Sequence, residues 1–321
     1  WARATFGEEW GAADGGWRST KDGEREGAGA RGSLRCDVAA ARAGLLVLAG
    51  RLPGRILLGS VPAIRLDGAP QFALRAPPLP SRGASRAAAV RERGKTMSNT
   101  MSDELVSNLV DFCENRLRVY AMLSRCFEKE LDAAFAEELA TKVAFASDDA
   151  ALAEGFSLLQ SDLAKRDEPA LEQLAVAFNR VFFGMGPRAA QKAFPYESVY
   201  TSERGLMMQE AYNQVLRIYR ASGFAKDPKF TEPEDHLAVE FVFMAKLCEQ
   251  TVRTLRAGDE ETSESSLREQ LAFAREHLLN WLPRFVRDME AAAEEGFYRH
   301  LALFVGAFVR ADVRALEEVV E

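Results

Sequence analysis

The chain has 321 residues, 47% of them hydrophobic, with 41 Lys and Arg against 48 Asp and Glu for a formal net charge of −7. That balance argues against a partner held by basic charge, such as nucleic acid or an anionic membrane surface. The charge is unevenly spread: residues 1–96 carry a net +7, with 15 of the 23 glycines and 6 of the 12 prolines, and residues 97–321 carry a net −14.

Residues 1–96 favour Arg over Lys and hold no sustained helical or alternating period. Their apolar pieces, Leu45–Leu48 and Ile56–Leu58, are too short to span a bilayer. No apolar core follows a basic N-terminus in the manner of a secretory signal. We expect this segment to be an unstructured extension rather than a domain, lying upstream of a natural start at Met97 or Met101. The alternative is a basic disordered tail that binds something anionic.

From Leu105 the pattern becomes helical. Leu105, Leu109, Phe112, Leu117, Tyr120, Leu123 and Phe127 form one stripe, with Ser102 or Asp103 available as its cap. Further amphipathic stretches run over about 131–146 and 149–166. Asp167-Glu168-Pro169 opens a fourth, which runs to Phe183 and stops at Gly184-Met185-Gly186-Pro187. Residues 187–201 have no stripe, and a connection of that length inside a compact helical domain is mobile or functional. Its rings Phe194, Tyr196 and Tyr200 suit either anchoring to the body or a peptide-binding surface. A helix over about 203–222 turns Leu206, Tyr212, Val215, Ile218 and Tyr219 inward and ends at Gly223.

Phe230-Thr231-Glu232-Pro233-Glu234-Asp235-His236 is the most informative stretch. Thr231 and Glu234 have capping-box spacing, Pro233 suits a first turn, and Glu232, Glu234 and Asp235 would sit at the positive end of the dipole. A helix is expected to start here. The protonation state of His236 stays open, because the dipole disfavours an imidazolium and the carboxylates favour it. The stretch reads either as a solvated cap or as a rigid acidic cluster at the mouth of a groove. The following Leu237–Cys248 is apolar on nearly every side and belongs in the centre of the bundle. Glu240 is its exception, placed either to accept a bond from His236 or to lie partly exposed.

Residues 258–264 read as an acidic linker, a conceivable hinge for a dimer that exchanges its last helices. Helices over 266–293, with Pro283 as the expected kink, and 296–320 complete about eight. The expected fold is therefore all-α, a single globular helical bundle over 97–321 with an unstructured N-terminal extension. His277 and His300 are expected to be structural or surface residues. Cys36, Cys113, Cys126 and Cys248 have no paired spacing, and the last three act as small hydrophobes in apolar helical patterns, which suits a reducing compartment.

The chemistry is narrow. A di-iron bundle needs two Glu-x-x-His pairs, and Glu232 is four residues before His236 rather than three, with no second copy; three His and scattered Cys give no zinc spacing, and no phosphate or dinucleotide loop occurs. Asp235 and His236 offer a dyad for a small-molecule hydrolase, but no nucleophile elbow accompanies them. A catalytic site, a metal site and a cofactor of the chain's own are accordingly not expected.

Glu232-Pro233-x-Asp235-His236, preceded by Pro195-Tyr196-x-Ser198-x-Tyr200 and by Phe178-Asn179-Arg180-Val181-Phe182-Phe183-Gly184, resembles the TorD/DmsD family over roughly Leu105 to the C-terminus. The resemblance implies a cytoplasmic chaperone that binds the twin-arginine signal peptide, the apo-subunit, or both, of a molybdenum-cofactor oxidoreductase precursor before export. It also implies involvement at the client's cofactor-insertion stage and, in some members, weak guanine-nucleotide binding. The peptide-binding residues expected are Tyr196, Ser198, Tyr200, Glu232, Pro233, Glu234, Asp235, His236 and Glu240. In this reading carboxylates engage the arginines or order the site, His236 fixes its geometry, and the tyrosine loop with nearby aliphatics receives the apolar segment. The rival is an assembly chaperone that grips a folded subunit without reading its leader, as nitrate-reductase chaperones do.

Overall fold

The computed structural model describes residues 101–184, 192–293 and 295–320. The expected extension over 1–96, with Cys36, and Met185–Pro187 of the expected helix stop lie outside them. Among the described residues there are ten α-helices and one π-helical turn: α1 Asp103–Glu128, α2 Ala133–Thr141, α3 Ala150–Asp162, α4 Glu168–Phe183, α5 Glu197–Thr201, α6 Glu210–Ala221, α7 Leu237–Ala257, α8 Glu260–Phe273, the π turn Ala274–Leu278, α9 Leu282–Ala293 and α10 Phe297–Val320. The described residues hold no strand, only an isolated antiparallel bridge between Tyr196 and His236. No described helix is long and apolar enough to cross a membrane.

The stripes dictate the packing. Ser102 caps α1 by accepting from the Leu105 amide, and the α1 stripe lies along α7, the most extensive helix pair of the bundle. As its composition demands, α7 is buried along most of its length and ends at Gly258, which takes the left-handed conformation. Tyr120 packs between Phe241 and Phe308 at 5.6 and 5.2 Å. Phe127 joins Phe182, Phe241 and Phe285. Cys113, Cys126 and Cys248 are free and buried. Burial pushes the first two thiols up to about 11 and about 12, so they serve as packing groups rather than nucleophiles.

A polar group that contains a charged pair is built into this core. The Arg116 guanidinium donates to Asp312 through Nε and Nη2 at 2.5 and 3.0 Å. Its Nη1 donates to Gln270, and the Tyr120 hydroxyl donates to Asp312 at 2.7 Å. Arg116, Gln270 and Asp312 are all buried, so a bidentate ion pair joins α1 to α10 and the Gln270 bond adds α8.

Four sequence expectations are corrected. First, α7 begins at Leu237 rather than in the capping-box stretch: His236 is the N-cap, and its Nδ1 accepts from the Ala238 amide at 3.1 Å. The pairing of 195–197 with 235–237 holds His236 in an extended conformation, so 231–235 form a turn outside the helix. Second, α6 starts at Glu210, and Leu206 stands exposed in the preceding loop rather than inward. Third, the acidic linker is helical. Asp259 caps α8 by accepting from Thr262, and the buried Ser263 donates to Thr254, so the segment read as a linker is a tight turn that runs straight into α8. Fourth, the interruption in the 266–293 stretch is the π turn. Pro283 lies in the first turn of α9, where a missing N–H costs little.

Candidate functional site

The two motifs meet in space. The Glu197 amide donates to the Asp235 carbonyl at 3.0 Å and the Leu237 amide to the Pro195 carbonyl at 2.9 Å. Pro195 therefore takes part as an acceptor, the one backbone role open to it. The bridge sets Tyr196 edge-on to His236 at 4.9 Å, and Phe230 meets the same ring at 5.3 Å. His236 is buried. Desolvation first, and Lys226 second, push its pKa down to about 3, so the ring is neutral. Because Nδ1 accepts the Ala238 amide, the ring proton sits on Nε2.

Around this cap the acidic turn is held from both sides. Lys226 Nζ donates to the carbonyls of Phe230 and Glu232 at 2.8 and 2.6 Å. The Tyr196 hydroxyl donates to Glu232 at 2.5 Å. Asp235 is fully buried and its Oδ2 accepts from the Ser198 amide at 3.0 Å. Its pKa is raised by burial, while Ser198 pulls the other way. Ser198 Oγ accepts from the Gln209 amide at 3.0 Å, which carries the motif outward to the start of α6.

Beneath lies a second layer. Glu197 Oε2 and His277 Nδ1 are 3.0 Å apart, and the π turn brings His277 inward. Glu240 is fully buried, and neither of its carboxyl oxygens has a hydrogen-bond partner of normal geometry. Burial, then the Glu197 and Asp235 carboxyls, push its pKa well above the usual carboxylate range, which favours the neutral acid. Both alternatives for Glu240 are thus corrected: it is neither partly exposed nor bonded to His236. Tyr200 is half-buried, stacked on Trp281 at 5.5 Å and edge-on to Phe285 at 6.0 Å.

Of the nine expected site residues, Tyr196, Ser198, Asp235, His236 and Glu240 are buried, and Tyr200, Glu232, Pro233 and Glu234 remain partly open to solvent. Asp235 and His236 each spend their hydrogen bonds on backbone amides rather than on one another, so the geometry lends no support to a hydrolytic dyad. Sequence reasoning did not single out Glu197, Gln209 or the Glu197–His277 bond. Each depends on contacts between distant segments, which leave no local pattern.

Residues 145–287, which contain both motifs, match the family described as the nitrate reductase delta subunit. The chain is also similar to curated proteins named chaperone protein TorD. It is 34% identical to that of Photobacterium profundum over 163 residues, covering 51% of this chain and 72% of the relative. It is 28% identical to that of Vibrio parahaemolyticus over 209 residues, and 30% identical to that of Vibrio cholerae over 223, covering 94% of each relative.

Proposed function

Because the chain belongs to the TorD family of chaperones, we propose that it binds the twin-arginine leader of a molybdenum-cofactor oxidoreductase precursor in the cytoplasm and keeps the subunit competent for its cofactor before export. We assign this role to residues 97–321.

The observation that carries the proposal is the acidic turn: Glu232 and Glu234 stay partly open on a segment clamped by Lys226, Tyr196 and the Tyr196–His236 bridge. Two adjacent guanidiniums offer bidentate donors to such carboxylates. A rigid acceptor pair loses little entropy on binding them. Burial divides the labour among the remaining motif residues. Asp235, Ser198, His236 and Glu240 order the site from within, and Tyr200 with Pro233 borders it.

Replacing both carboxylates tests this. Glu232→Gln/Glu234→Gln is expected to weaken an arginine-pair leader by about tenfold or more, on the order of 1.4 kcal/mol, and to flatten the salt dependence of binding. An unchanged affinity in calorimetry would remove these carboxylates from the site.

A second reading, a grip on the folded subunit, is favoured by one feature. A groove of about 370 Å³ opens between α1, α2 and the C-terminal half of α7, floored by Leu117, Met122, Phe135 and Val252 and rimmed by both signs of charge. It lies about 20–30 Å along α7 from His236, at 1.5 Å per residue. Both surfaces suit one client held at its leader and its body.

A further inference from the structure

Leu206, Met207 and Met208 are consecutive and stand 44%, 38% and 56% exposed, between α5 and α6. Three neighbouring apolar side chains left in water on a connecting loop mark a contact surface more than a packing remnant. The loop has a defined path. Gly205 has φ 60°, and Met208, at φ 56°, is the one non-glycine with positive φ among the described residues. That conformation is unfavourable for a side chain of this kind and persists only where surrounding bonds impose it. Those bonds are present: the Leu206 amide donates to Ser202 Oγ at 3.1 Å, Gln209 Nε2 to the Met207 carbonyl at 2.9 Å, and the Gln209 amide to Ser198 Oγ at 3.0 Å.

The last of these links the loop to the motif. Ser198 is fully buried and holds Asp235, so the chain of bonds Asp235–Ser198–Gln209 runs from the buried acidic motif to the residue after Met208. A second link runs over the surface, because Tyr212, in the first turn of α6, faces the Glu234 carboxylate. The acidic turn and the apolar tip are therefore joined through the first turn of α6.

We infer that the Leu206–Met208 tip seats the apolar run that follows the arginine pair of the client leader. This rests on the leader binding proposed above and assigns its apolar half to a surface outside both sequence motifs. Charge and polarity select that occupant: the described body belongs to a segment of net −14, Glu232 and Glu234 lie at one end of the surface, and three apolar side chains lie at the other. A segment that is basic and then apolar complements both ends in order. Two methionines, unbranched and polarisable, can pack against leaders whose apolar residues differ.

The test uses the full chain and the variant Leu206→Ser/Met207→Ser/Met208→Ser. Each is titrated calorimetrically with a leader peptide and with a matched peptide that keeps the arginine pair but carries serine through the apolar run. The substituted side chains are exposed, so the melting temperature is expected to stay within about 2 °C of the parent. The variant is expected to bind the apolar leader at least about tenfold more weakly, from the loss of buried apolar area, and the serine peptide as the parent does. Met208→Gly keeps the backbone path without the side chain, and is expected to melt no lower than the parent while losing part of the same affinity. Equal binding of the apolar leader by parent and variant, or equal loss for both peptides, overturns the seat and leaves leader binding standing. If the parent binds neither peptide, the leader reading falls and the seat falls with it.

Discussion

Asp312→Ala is expected to cost about 3–5 kcal/mol of stability, the range for stranding one member of a buried ion pair. Arg116 would be left with an uncompensated charge among the α1, α8 and α10 side chains, and the Tyr120 hydroxyl would lose its acceptor. Against a typical domain stability of about 5–15 kcal/mol, that is enough to show as a large fall in the urea midpoint. The pair is not itself a large net contributor, since desolvation offsets much of its attraction. Arg116→Met/Asp312→Leu should therefore recover most of the loss. A cost below about 1 kcal/mol for Asp312→Ala would show that the three helices do not depend on this contact.

The second large effect concerns pH. Glu240 has a folded pKa raised above its unfolded value, first by burial and then by the Glu197 and Asp235 carboxyls. The folded state thus binds the proton more tightly than the unfolded chain. Its contribution to stability is complete below the unfolded pKa, about 4.3, and is lost as pH rises towards the folded value. The slope reaches about 1.4 kcal/mol per pH unit for one proton. Glu197 is shifted in the same direction by burial, with His277 opposing, so it adds to the trend. Glu240→Gln keeps the shape without the proton and should flatten the decline between pH 5 and 8, leaving the variant more stable than the parent at the upper end. Parallel stability curves for the two proteins across that range would mean that Glu240 does not govern the pH dependence.

The helical body was legible because its apolar residues recur at intervals of three to five. The α1 stripe and the near-continuous apolar face of α7 are visible as written. Element ends were less so where tertiary contact overrides local preference. The Thr231–Glu234 spacing is a sound capping signal, yet the bridge to Tyr196 holds the chain extended through His236 and moves the start to Leu237. Leu206 looked like part of a helical stripe because spacing alone cannot show that Gly205 and Met208 take the left-handed conformation. The eight expected helices become ten for two reasons: Glu197–Thr201 forms a short helix within the loop, and the π turn divides α8 from α9.

The site was partly legible. Both motifs were named and the fold brings them into contact, but burial had no local signature. Asp235 and His236, adjacent in sequence to acids that stay partly open, point inward because Ser198 and Ala238 supply amides there. Arg116, Asp312, Glu197 and His277 are polar residues on otherwise apolar faces. Such intrusions are visible as oddities in a stripe, but their partners lie far away in sequence, 196 residues apart for Arg116 and Asp312 and 80 for Glu197 and His277.

Leader recognition is the central claim, and one titration tests it most directly. The full chain is mixed with a twin-arginine leader peptide and, separately, with the same peptide carrying two lysines. Micromolar or tighter binding, about −8 kcal/mol, that weakens markedly for the lysine peptide is the predicted result, because lysine cannot reproduce the bidentate geometry. Equal affinity for both peptides, or none for either across a panel of leaders, would contradict it and move recognition to the folded body of the client.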